Sequence, residues 1–170
     1  DPFSPTNEDI LRFPFSNDAK LDQRFEELQR FGVENPYQSE DSALLIGNGF
    51  LLSLAPVLPR TIFVTDYSVS LLAWMNSQLT QLETSQSRSE FIDWLHDTVP
   101  ANRVSLVRAE ESDEANHHFL KSDETFENAR SALLNLEVHF VKVDYKSQAS
   151  VKALGRNIIY NGNFVRVANL

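Results

Sequence analysis

The chain has no cysteine, one methionine and only five glycines in 170 residues. Without cysteine there is no disulfide, no thiolate nucleophile and no Cys-ligated zinc, and the redox compartment is left open. No apolar run approaches the ~20 residues of a membrane span, and the N-terminus lacks the basic-then-apolar pattern of a signal peptide. The expectation is a soluble chain, cytoplasmic by default, with no membrane partner. Its first residue is Asp1 rather than Met, which reads as a processed or trimmed product. Clustered Lys and Arg are lacking too. The net charge is −9, and the densest charge is acidic, at Glu110, Glu111, Asp113 and Glu114 and at Asp123-Glu124. Nucleic-acid binding by phosphate neutralisation needs the opposite sign, so there is no direct nucleic-acid signal. No Gly-x-Ser-x-Gly elbow is present, and a hydrolase-type serine nucleophile has no support.

What is present is a globular composition, 42% hydrophobic with twelve Phe, which points to one ordinary domain with an aromatic-rich core. Residues 1–18 carry Pro2, Pro5 and Pro14 among Phe3, Phe13 and Phe15, the pattern of an extended arm. From Ala19, the spacing of Leu21, Phe25, Leu28 and Phe31 predicts a helix of about four turns capped by Gly32. Residues 1–41 therefore form an arm and helix, and 42–170 a core. Within that core, Ala43–Ile46 and Ile62–Thr65 are continuous apolar runs suited to strands buried on both faces. A short helix fits Phe50–Leu58, and a longer one follows Asp66 and fades at 83–87.

Further on, Phe91, Trp94 and Leu95 mark a helix ending near Pro100, and Val104–Val107 is a short strand or a helix start. An acidic helix is expected over Ser112–Leu136. Val138–Val143 reads as a third strand running into Asp144, and Asn157–Tyr160 as a fourth, before Asn161-Gly162-Asn163 and a final apolar segment. The fold class is α/β: a three-layer, Rossmann-like arrangement with a mostly parallel sheet. Trp74, Met75, Phe91 and Trp94 are core candidates. His117 and His118 are adjacent, so on a helix they diverge by about 100° and cannot share a metal from one face.

The chemistry-bearing stretch is Gly47-Asn48-Gly49 after the first strand and Asp66 at the tip of the second, 19 positions beyond Gly47. At the carboxyl end of a parallel strand a ligand reaches the backbone only where side chains are missing, and glycines supply that gap. An acid on the neighbouring strand tip faces the same crevice and can accept both hydroxyl hydrogens of a ribose. A plain reading also stands: a tight βα turn at Gly47, and Asp66 as the N-cap of the next helix. Asp144, ahead of Tyr145-Lys146-Ser147, is equally able to cap a helix.

The stretch "LLIGNGF" resembles the first motif of class I S-adenosylmethionine-dependent methyltransferases, and "IFVTDYS" resembles the second. The resemblance implies that Gly47, Asn48 and Gly49 cradle S-adenosylmethionine. It also implies that Asp66 holds the ribose and that Tyr67 lies beside the adenine. "VHFVKVDY" is similar to the third motif, which would set Asp144 against the adenine amino group. "NIIYNGNF" is similar to the fourth strand and its loop, which would bring Asn161 and Asn163 near the transferable methyl. The implied partners are this small-molecule cofactor and an unspecified methyl acceptor.

The chain departs from the pattern at Leu45, where the family has an acid for the cofactor's amino group, and at Leu51, where a third glycine is usual. It offers four strands against seven. These departures and the acidic stretch at 110–124 suit an alternative from another class, a catalytically silent methyltransferase-like scaffold for a protein partner. A nicotinamide-dependent oxidoreductase is a further alternative, although Leu52 stands where Gly-x-Gly-x-x-Gly needs its last glycine.

Overall fold

The computed structural model describes residues 20–47, 51–99 and 115–169. The proline-rich arm, Asn48, Gly49 and the segment Val104–Val107 lie outside them. In chain order the elements are α1 (Leu21–Glu34), β1 (Asp41–Ile46), α2 (Leu51–Leu54) with a 3-10 turn (Ala55–Val57), and β2 (Thr61–Asp66). Then come α3 (Val69–Thr84), α4 (Arg88–Thr98), α5 (Asp123–Leu133), β3 (Glu137–Lys142), α6 (Gln148–Tyr160) and β4 (Phe164–Asn169). The four strands form one all-parallel sheet in the order β3-β2-β1-β4. Because β4 returns to the far side of β1, the strand order reverses there, the place where open α/β sheets leave a crevice at their carboxyl edge.

The central strands β1 and β2 are apolar because both of their faces are covered, while the edge strands β3 and β4 are partly exposed. Ala43, Leu45, Ile62 and Val64 point into the larger core, with Leu21 and Phe25 of α1, Leu51 and Leu54 of α2, and the inner faces of α3, α4 and α5. Phe63 points the other way and packs with Val143, Leu154 and Ile158, so α6 makes the third layer. Helix α3 buries Leu71 through Met75 in succession, the mark of a helix enclosed on most sides. Trp74 stacks on Trp94 at 5.6 Å, and Phe91 meets Phe119 edge-on, so the aromatic core is as expected. Four helices open on serine: Ser68, Ser87, Ser122 and Ser147 each accept a hydrogen bond from the backbone amide three residues on. Each such cap contributes about 1 kcal/mol.

Three expectations are corrected. Helix α1 runs on to Glu34, so Gly32 lies within its last turn, where a Cβ would stand 3.3 Å from the Tyr37 ring. The acidic helix starts only at Asp123, behind a capping box of Ser122 and Thr125. Ahead of it, residues 115–121 form turns clamped from three sides. Asp22 accepts the amides of Asn116 and His117, Ser53 accepts that of Phe119, and Arg88 donates to the carbonyl of Leu120. Finally, Asn157–Tyr160 is the end of α6 and not a strand. Leu154 and Ile158 form its buried stripe while Ile159 and Tyr160 are exposed. The fourth strand is the segment after Gly162, whose φ of +73° turns the chain. Among the described residues no helix is long and apolar enough to cross a membrane.

Candidate nucleoside site at the carboxyl edge

The register aligns the ends of β1, β2 and β3. Ile46 pairs with Thr65, Thr65 with Val141, and Asp66 with Lys142. Gly47 leaves β1 with φ +67°, a conformation L side chains rarely adopt, and its amide donates to the Thr65 carbonyl at 3.0 Å. A Cβ on Gly47 would stand 3.8 Å from Oδ2 of Asp66. The turn and the carboxylate thus face one another across a gap that a side chain would narrow.

Asp66 does not cap α3; Ser68 does, its Oγ accepting the amide of Leu71 at 3.2 Å. The Asp66 carboxylate instead accepts the Ser68 amide on Oδ1 at 2.6 Å, which fixes its rotamer, and no described residue donates to Oδ2. A carboxylate has about four lone-pair positions. One is used to orient the group, and the oxygen toward Gly47 keeps its capacity.

Tyr67 follows on the surface, 66% exposed, with the Lys142 ammonium 5.4 Å from its ring centre. It lines a cavity of about 480 Å³ with Asp144, Tyr145 and Lys146 from the loop after β3. Asp144 is no helix cap either, since Ser147 caps α6. Its Oδ1 accepts the amide of Lys146, and its own amide donates to Ser150 Oγ.

Two residues that sequence reasoning missed tie the loops together. The buried Thr65 donates its one hydroxyl hydrogen to the Leu45 carbonyl at 3.0 Å, so the Tyr145 hydroxyl must be the donor in its bond to Thr65 Oγ1. A hydroxyl inside an otherwise apolar strand, Ile62-Phe63-Val64-Thr65, was the available signal.

The structure brings Gly47, Asp66, Tyr67 and Asp144 to one edge of the sheet, and it does not bring Asn163 there. Asn163 precedes β4, whose first residue pairs with Asp41, so it lies at the amino edge. There it is buried, its amide donating to Ile158 O and its side chain to Asn161 O. Asn161 is the C-cap of α6. The error follows from the strand assignment: a fourth strand at 157–160 puts both asparagines after it, at the opposite edge. Leu45 is fully buried in the larger core, so no acid stands two residues before Gly47. No family model matches the chain, and neither does any curated protein or solved structure at a meaningful level.

Proposed function

We propose that this edge binds the adenosyl part of S-adenosylmethionine and that the domain is a methyltransferase. One observation carries the reading: the left-handed Gly47 turn and the Asp66 carboxylate face each other at the ends of adjacent parallel strands. Asp66 would take the ribose hydroxyls, and Tyr67 and Asp144 would flank the adenine in the adjoining cavity. When bound, the cofactor supplies a sulfonium methyl already activated for transfer, so the chain has mainly to hold and align the reactants and exclude water. Neither a metal nor a covalent intermediate is needed.

The dinucleotide alternative fits less well. A pyrophosphate relies on a helix N-terminus, and α2 is a four-residue helix that gives way to a 3-10 turn. The scaffold reading draws on Leu45, whose burial leaves the cofactor's amino group without the carboxylate that the methyltransferase pattern provides. Calorimetry with S-adenosylmethionine and with its demethylated product separates these readings. Saturable binding is expected, weakened in Asp66→Ala by ~1.5–3 kcal/mol through loss of a charged hydrogen bond. Absence of heat with both compounds, from folded protein, would leave the scaffold; unaltered affinity in the variant would reduce Asp66 to bracing Ser68.

A further inference from the structure

Helix α6 buries only Leu154 and Ile158, and the rest of its surface is turned outward. On that outer face Lys152, Arg156 and Tyr160 follow one another at intervals of four and form one ridge. The next row round carries the small side chains of Ala149 and Ala153, so a groove runs beside the ridge. Ala153, Arg156, Asn157, Ile159 and Tyr160 line it, and it encloses about 560 Å³. At its end Ile159 is 69% and Tyr160 91% exposed, so two large apolar side chains stand together in water. The charge beside them is of one sign. Helices α1, α3, α4 and α5 all carry acids, whereas α6 has Lys152 and Arg156 and no acid, in a chain of net charge −9. Both cations are exposed, and neither is ion-paired with a described residue.

We propose that this face seats an acidic amphipathic helix of a partner protein. The partner's apolar side chains enter the groove over Ala153 and cover Ile159 and Tyr160, and its carboxylates reach Lys152 and Arg156, whose guanidinium offers a fork of donors to a carboxylate. Arginine and tyrosine are among the side chains that most often anchor protein interfaces. Charge complementarity selects this occupant over two others. A second copy of the chain, set face to face about a two-fold axis, would bring like charges together. A nucleic acid needs a cluster of cations and leaves Ile159 uncovered. The assignment does not rest on the adenosyl reading, because it uses none of Gly47, Asp66, Tyr67 or Asp144.

The test is titration of the whole chain, followed by calorimetry and amide chemical shifts, with peptides of about 18 residues, long enough to hold a helix. The acidic peptide has leucine at helical spacing and glutamate elsewhere, the basic peptide has lysine for glutamate, and the hydrophilic peptide has serine for the leucines of the acidic one. The acidic peptide should saturate with shifts centred on residues 149–160 and bind at least about tenfold more tightly than the basic one, and the hydrophilic peptide should not saturate. Arg156→Glu and Ile159→Ser alter exposed side chains, so both variants should melt close to wild type. Each should lose about tenfold in affinity for the acidic peptide, and Arg156→Glu should gain affinity for the basic one. No saturable binding of the acidic peptide, equal affinity for the acidic and basic peptides, saturable binding of the hydrophilic peptide, or wild-type affinity in either folded variant would each overturn the proposal. Self-association of the chain that Ile159→Ser abolishes would assign the face to a second copy and overturn it as well.

Discussion

Thr65 and Asp66 sit side by side at the tip of β2, and each holds a different neighbour in place. Thr65 joins the Leu45 carbonyl to the Tyr145 hydroxyl, bridging β1 and the loop after β3. Tyr145→Phe removes the donor and should lower stability by ~0.5–1.5 kcal/mol, seen as a shift in urea midpoint. A midpoint equal to wild type would mean the bridge contributes nothing. Asp22 allows a test by pH. Burial pushes its carboxyl up, but donation from the Asn116 and His117 amides, the His117 charge and the Asn116 side chain together outweigh that, and its pKa is lowered from 3.8. Between the lowered folded value and 3.8 the unfolded chain binds more protons, so stability rises with pH there. The contribution of Asp22 is therefore present above 3.8 and lost as pH falls through the folded value. Relative to wild type, Asp22→Asn should be less stable at neutral pH and converge with it in acid; a stability gap that stays constant below 3.8 would contradict this.

Among the elements, the turn after β1 is the most exacting. Gly47→Ala introduces no clash, since the new Cβ meets Asp66 Oδ2 at an ordinary 3.8 Å, but it forces a left-handed conformation on alanine. The expected cost is ~1–2 kcal/mol of unfolding free energy by chemical denaturation; a neutral result would mean that the turn relaxes to negative φ. Parts of the fold could be read beforehand. Continuous or alternating apolar runs and apolar positions at helical spacing are local signals, and β1, β2, β3, α3 and α4 lie close to where those signals place them. Helix α6 was misread because Ile158-Ile159-Tyr160 has strand-forming residue types. Its Leu154–Ile158 stripe at i and i+4, behind the Ser147 cap, prevails once Phe63 and Val143 are there to bury it. Residues 115–121 were misread because their clamps, Asp22, Ser53 and Arg88, are distant in sequence and leave no local pattern.

For the molecule as a whole, the alternation of strands and helices was enough to foresee a parallel three-layer sheet, whereas the order β3-β2-β1-β4 is not written in that alternation. Gly47, Asp66, Tyr67 and Asp144 reach one edge because each ends a parallel strand or follows it within two residues, and those strands were placed closely from sequence. Asn163 did not, because a misplaced strand reverses the edge to which its flanking residues belong. The proposal that the carboxyl edge grips an adenosyl group is tested most directly by amide chemical-shift mapping with the demethylated cofactor product. Saturable shifts concentrated at Gly47, Tyr67, Asp144 and Tyr145 are the predicted result. Saturable shifts confined to residues remote from that edge, or none at millimolar ligand with the spectrum of a folded protein, would contradict it.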